Sequence, residues 1–278
     1  MPIKFFSSFT LEKNPEDQFD LLCKQAKLGK KEAQADLGCL YFNGIYVPQD
    51  YTQAFHYFQL AANQGLPGAQ YSIGLCYQNG WGVDKNIEQA IKWYLSAANQ
   101  GYIEAQYNLA WLYHAGEDVP QNFALAIKWY EKAALQNNAA AATNLAMIML
   151  ADGNEQFRND PVAFRWLEKA ALQNNMLAQR NLGYCYYNGR GIQKDPAQSF
   201  TWYLKAAKQG DVLAQHNIGW MYLTGNGVTK NIEQAVIWYE KAARQNYAPA
   251  HSDLQTLATK ENITSAKQAL EKLQTQKN

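Results

Sequence analysis

Residues able to do chemistry are few in this chain, and they are scattered. The four histidines, His56, His114, His216 and His251, share no metal-ligand spacing. His114 stands near Glu117 and Asp118, the nearest approach to an acid–base group, and the stretch reads as a solvated loop in preference to a proton-transfer site. Four cysteines at 23, 39, 76 and 185 form no Cys-x-x-Cys and read as small buried hydrophobes, with a disulfide framework or metal site as the weaker alternative. No Ser-x-x-Lys, Gly-x-Ser-x-Gly, His-Glu-x-x-His or phosphate-loop sequence occurs. Gly80-Trp81-Gly82, Gly189-Arg190-Gly191 and Gly225-Asn226-Gly227 could be taken for phosphate cradles, but each follows a helical stretch and lacks the Lys-Ser/Thr ending. The expectation is no catalytic residue, no metal and no cofactor.

What does recur is architecture. The stretch Trp129-Tyr130-Glu131-Lys132-Ala133-Ala134 returns as Trp93–Ala98, Trp166–Ala171, Trp202–Ala207 and Trp238–Ala243, with a weaker copy at Tyr57–Ala62. The spacing is 36 residues with a single step of 37, a period that marks a repeat array. Each repeat opens with a helix, A, whose apolar residues fall at i, i+4 and i+8, such as Ala69, Ile73 and Tyr77. Gly38, Gly74, Gly183 and Gly219 sit in its middle, where glycine costs about 1 kcal/mol relative to alanine. That placement predicts a crossing at which two helix backbones approach closely. A glycine-rich turn follows. Helix B then starts on Asp50, Asn86, Asn122, Asp160, Asp195 and Asn231 as N-caps, with Gln53, Gln89 and Gln234 placed for capping boxes. Its tryptophans, 93, 129, 166, 202 and 238, are expected to be core. The fourth repeat departs, with a turn one residue longer at 151–159 and Met149 in place of tyrosine.

These elements predict an all-α solenoid of about seven helix-turn-helix repeats and 15 helices. Residues 1–13 form an N-terminal tail, and a single domain spans 14–276. The repeats run 31–66, 67–102, 103–138, 139–175, 176–211 and 212–247, with a degenerate unit at 248–276. The Asn14-Pro15 start opens a half-repeat covering one end of the stack, and a polar helix closes the other.

The pattern Ala-x-x-x-Leu-Gly-x-x-Tyr, then Asn-Gly-x-Gly-Val, then Asp/Asn-x-x-x-Ala-x-x-Trp-Tyr-x-x-Ala-Ala resembles the Sel-one-like repeat family, relatives of the tetratricopeptide repeats, over about residues 18–258. The resemblance implies a right-handed α/α superhelix with helix A on the concave side, and a role as adaptor or scaffold for proteins or peptides. Some family members resemble cognate inhibitors of secreted toxins. A cysteine-rich secreted branch is linked to β-lactam binding, and this chain lacks that branch's per-repeat cysteine pairs.

With helix A lining a concave groove, the third and seventh positions after its opening alanine share one face. They supply Tyr71, Tyr107 with Trp111, Arg180 with Tyr184, and His216 with Trp220, residue types that dominate interface hot spots. The fourth position is polar throughout, and Asn108, Asn144, Asn181 and Asn217 could hold a peptide backbone, since an amide donates and accepts at once. An inter-repeat structural role is the alternative for both sets. Net charge is +1, from 25 basic and 24 acidic residues, without the concentrated cationic face that nucleic acid requires. No apolar run is long enough for membrane insertion, and Met1–Leu11 has no apolar core of signal-peptide length. The reading is a non-catalytic cytoplasmic monomer, with leaderless export left open, that binds a protein or extended peptide. The alternatives are a toxin's immunity partner and, in a different class, a binder or hydrolase of cell-wall-related small molecules.

Overall fold

The computed structural model describes residues 15–275. The sequence expectations for the 1–13 tail and the Asn14 cap lie outside the described residues. The described chain contains 15 α-helices and no strand, and it divides into two compact units, one ending at Gln136 and the other beginning at Asn137.

In the first unit, α1 (Pro15–Lys27) precedes three pairs: α2 (Lys31–Asn43) with α3 (Tyr51–Asn63), α4 (Pro67–Asn79) with α5 (Ile87–Asn99), and α6 (Ile103–Ala115) with α7 (Phe123–Leu135). In the second, α8 (Ala139–Leu150) pairs with α9 (Asp160–Leu172), α10 (Met176–Asn188) with α11 (Pro196–Lys208), and α12 (Val212–Thr224) with α13 (Ile232–Arg244). There α14 (Ala248–Thr259) and α15 (Thr264–Thr275) close the stack. Within each unit every A helix packs on its own B helix, and that B helix packs on the next A. Each unit is therefore a solenoid segment, held by nearest-neighbour contacts.

Helix ends follow local chemistry. Asp50, Asn86, Asn122, Asp195 and Asn231 accept backbone N–H bonds from the first turn of their B helices. In the fourth repeat the cap is Asn159, whose side chain takes Val162 N, so the expected cap Asp160 is instead the first helical residue. Reciprocal capping boxes do not close, because the N-cap N–H groups are already committed. Asp50, Asn86, Asn122, Asn159, Asp195 and Asn231 donate to the carbonyls of Tyr41, Tyr77, Tyr113, Met149, Tyr186 and Tyr222 near the end of the preceding A helix. One such bond ties A to B in every full repeat.

Burial of the aromatic pair on helix B meets the expectation for three of the five tryptophans and places the tyrosine deeper. Tyr94, Tyr130 and Tyr239 have no exposed surface and Tyr203 almost none, as has Phe58 in the first repeat. The tryptophans lie nearer the rim: Trp129, Trp202 and Trp238 are buried, whereas Trp93 and Trp166 are only partly so. Lysine ammonium groups stand over the rings of Trp202 and Trp238, 3.8 and 3.9 Å from their centroids. The mid-helix glycines explain this arrangement. A Cβ on Gly38, Gly74, Gly183 or Gly219 would fall 2.5–2.8 Å from the ring of Phe58, Tyr94, Tyr203 or Tyr239. The glycine thus makes room for an aromatic ring, and not, as expected, for a second backbone.

Candidate functional site

Side chains of the A helices that face away from the B layer form the candidate site, and the two units differ there. In the first unit much of this face is filled from within. Tyr71 packs against Tyr94 and Tyr102, with centroids 5.7 and 5.3 Å away, and its hydroxyl accepts from Asn108 Nδ2 at 3.3 Å. Burial pushes the Tyr71 hydroxyl up to about 12. Asp36 and Ser72, which precede Asn108 in the polar series, are fully buried. Tyr107 leans on Tyr130 at 5.7 Å and is half-buried. Trp111 is the open residue, with 38% of its surface exposed.

In the second unit the seventh position stays open in three consecutive A helices: Met147, Tyr184 and Trp220 are 39, 42 and 36% exposed. The polar and charged candidates beside them are mostly tied down. Arg180 Nη1 donates to Asp211 Oδ2 at 3.0 Å, and Asp211 is buried and also caps α12 through Ala214 N. His216 Nε2 lies 2.7 Å from Asp253 Oδ2, with its ring against Tyr239 and Tyr247. Asn181 Nδ2 donates to its own helix at Leu177 O, 2.9 Å away, and Asn144 is engaged within the protein as well. Arg180 is therefore tied to the cap of the next A helix, α12, and His216 to α14, the structural alternative for those positions. Asn217 and Trp220 line a cavity of about 190 Å³ with Tyr187, Tyr203 and Met221. A second cavity, about 340 Å³, lies among Ala243, Asn246, Tyr247, Ala248, His251, Ser252 and Gln255, where His251 and Tyr247 are the ionisable side chains.

Elsewhere the reactive residue types are structural. Cys39, Cys76 and Cys185 form no disulfide and are fully buried, and burial pushes the Cys76 and Cys185 thiols up to about 12. His114 sits beside Tyr130 and Phe123, and burial lowers its pKa, which favours the neutral ring. No group of three His, Cys, Asp or Glu residues among the described residues could hold a metal ion. Among the described residues no helix is long and apolar enough to cross a membrane.

The turn residues also serve the stack. Trp81 packs on Phe42 and Tyr51 of the preceding repeat, 5.1 and 6.0 Å away. Arg190 reaches back to Asp160 (Nε to Oδ2, 2.5 Å) and to Leu150 O (3.0 Å). The second glycine of the turn lies against a helix B start one repeat earlier: a Cβ on Gly82, Gly191 or Gly227 would run into the carbonyl of Tyr51, Asp160 or Pro196. Its positive φ and close approach both require glycine. The first repeat has only α1 before it and carries Tyr46 at that place.

Sequence reasoning missed one network altogether. The glutamine after the opening alanine is buried in five repeats. Gln34, Gln70, Gln106, Gln179 and Gln215 donate to the carbonyls of Ala26, Ala62, Ala98, Ala171 and Ala207 on the preceding helix. Each accepts from a glutamine 30 residues later, Gln64, Gln100, Gln136, Gln209 or Gln245, at 2.7–2.9 Å. The signal was present as recurrent Ala-Gln and as Gln at the helix B stop, but it lies outside both the apolar stripe and the capping motifs.

Comparisons with known proteins agree with this architecture. A family model described as Sel1 repeat matches residues 31–66, 67–102, 103–138, 139–175, 177–211 and 212–247. The structure is similar to that of a protective antigen of uropathogenic Escherichia coli displaying an SLR fold, at 33% identity and a TM-score of 0.79, over 94% of this chain and 56% of that one. The chain thus spans little more than half of that protein's length. It is also similar to a Sel1 repeat protein from Oxalobacter formigenes, at 30% identity and a TM-score of 0.68, over 82% of this chain and 90% of that one. None of the curated proteins matches it. Six matched repeats over the greater part of the sequence, on a helical stack of the same kind, decide the family: the chain belongs to the Sel1 repeat proteins.

Proposed function

We propose that this protein is a non-catalytic scaffold that binds another protein or an extended peptide, with its main contact surface on the exposed A-helix side chains of the second unit. The observation that carries this reading is the series Met147, Tyr184 and Trp220, three large apolar side chains held open on consecutive A helices. Large apolar side chains held open at a repeated position are what protein interfaces use, and they otherwise carry an aggregation cost. Membership in a family of repeat scaffolds supports the same conclusion. Cavity size weighs against the small-molecule alternative. About 190 Å³ is below the roughly 300–1,000 Å³ of typical ligand pockets, and the 340 Å³ cavity holds no carboxylate or cysteine, only His251 and Tyr247 as ionisable groups. A partner in the second unit would meet Tyr184 and Trp220 first, with Asn181 and Asn217 beside them.

The test is an affinity capture from native lysate with the full chain and with a Tyr184→Ala/Trp220→Ala double variant, each checked for unchanged melting temperature. A partner retained by the parent and lost by the folded double variant is the expected result. Equal capture by both would overturn the assignment of the surface.

A further inference from the structure

The cavity bounded by Tyr187, Tyr203, Asn217, Trp220 and Met221 differs from the rest of the A-helix face. At the fourth position of helix A, every other polar side chain is engaged within the protein. Ser72 Oγ donates to Gly68 O, Asn108 to the Tyr71 hydroxyl and Asn181 to Leu177 O. Asp253 holds His216, and Asp36 and Asn144 have partners as well. Asn217 has none among the described residues. Its amide, one acceptor and two donors, stands unspent in a pocket wall otherwise made of three aromatic rings and Met221.

Charge near the pocket is also unbalanced. The residue before the helix B cap is Lys85 in the second repeat, and its ammonium pairs at 2.9 Å with Asp118, 33 residues later. The equivalent residue in the fifth repeat is Lys194, and the place 33 residues later is Gly227. Gly227 lies against the Pro196 carbonyl, where no side chain fits. Lys194 therefore has no carboxylate partner among the described residues. Its Nζ stands 5.2 Å from the ring centroid of Tyr187, which walls the pocket. Nearby acids are committed: Asp195 accepts from Ala197 N and Gln198 N, and Asp211 holds Arg180.

We infer that this pocket takes one large apolar side chain from an internal segment of an extended peptide, with an acidic residue beside it. The Asn217 amide holds the peptide backbone, and the Lys194 ammonium meets the carboxylate. A volume of about 190 Å³ suits one side chain, and the unpaired cation selects the charge of its neighbour. This inference rests on the protein-binding reading above and narrows it to a sequence class.

Three capped peptides titrated into the ¹⁵N-labelled full chain test it: acetyl-Gly-Phe-Glu-Gly-amide, its Phe-Gln counterpart and its Ala-Glu counterpart. The probes are the Trp220 indole signal, assigned by its loss in Trp220→Phe, and the Asn217 side-chain amide. The Phe-Glu peptide is expected to shift both signals, the Phe-Gln peptide to need at least threefold more for half the shift, and the Ala-Glu peptide to leave both in place. Lys194→Ala, a change at an exposed side chain, is expected to erase the difference between Glu and Gln while Phe-dependent shifts persist. Silence of both signals with all three peptides would overturn the pocket, and equal titration by Glu and Gln would overturn the role of Lys194. Neither outcome touches the capture experiment, where loss of a partner in the double variant would still establish the protein-binding surface.

Discussion

The fourth and fifth repeats adjoin in one unit, yet they end their A helices by different means. In the fifth, α10 stops on Gly189 at φ 73, whose N–H bonds back to Cys185 O at 2.8 Å. In the fourth, α8 runs into Ala151 in an extended conformation, and the Leu150 carbonyl is left without a local donor. Arg190, 40 residues later in sequence, supplies one. The lateral bonds differ in the same way. Gln179 links its neighbours through Ala171 O and Gln209, whereas the equivalent place in the fourth repeat is Ala142, buried and without a polar side chain. Helix A carries Gly183 against Tyr203 in the fifth repeat; the fourth has Ala146 and Leu167 at those places, a larger residue on A and a smaller one on B. A buried polar group has to be satisfied, and where the local motif is missing a distant side chain does it.

The largest test of that contrast is Tyr203→Ala. It empties the space that Gly183 leaves open and should cost about 3–5 kcal/mol, read as a fall in the urea midpoint. Trp166→Ala, at the partly exposed rim of the fourth repeat, should cost clearly less. Equal losses would mean that the rim tryptophans carry the core after all.

Arg190→Ala comes next, at about 2–3 kcal/mol, because it strips Leu150 O of its side-chain donor and leaves Asp160 only the exposed Arg158. It also carries a pH signature. The hydrogen bond from Arg190 holds the Asp160 carboxyl below the usual carboxylate range. Stability from that pair is complete above the ordinary carboxylate value, about pH 4, and is lost as pH falls through the lowered native value. The gap in melting temperature between parent and variant should therefore narrow below about pH 4. A constant gap would remove the ion pair from the explanation.

Gln215→Ala should cost about 1–2 kcal/mol, since it leaves Ala207 O and the Gln245 amide short of a partner. The smallest effect is expected for Lys241→Ala. It removes a cation at 3.9 Å over Trp238, worth about 0.5 kcal/mol at an exposed position. A thermal shift larger than that of Gln215→Ala would reverse their order of importance.

Helix positions were legible because their signals are local. Caps such as Asp50 and Asn231, the left-handed glycine stops and the 36-residue period each act within one turn or one repeat. The longer fourth turn was visible too, though its cap moved from Asp160 to Asn159, a one-residue ambiguity between two adjacent capping residues. The candidate site was less legible. Sequence grouped Tyr71, Tyr107 and Tyr184 by position, but Tyr71 fills a gap beside Tyr102 while Tyr184 stays open, and that depends on what the neighbouring repeat presents. The asparagine series was read as one ladder, yet only Asn217 is unengaged among those described.

By itself, then, the sequence determined the repeat, the number of helices, their ends and the family, because hydrogen bonds within a turn and an apolar stripe at fixed spacing need no knowledge of the partner helix. Tertiary structure decided which member of each Trp-Tyr pair goes inward. Both residues stand four places before one of the paired alanines, so both satisfy the stripe; the facing glycine makes room for Tyr94, Tyr203 and Tyr239, while Tyr130 is buried in a repeat whose helix A has Ala110 at that place. It also decided the roles of Gln70, Arg190 and Lys194. Their partners, or the lack of one, are set some 30 residues away in sequence, where only packing brings chain segments together.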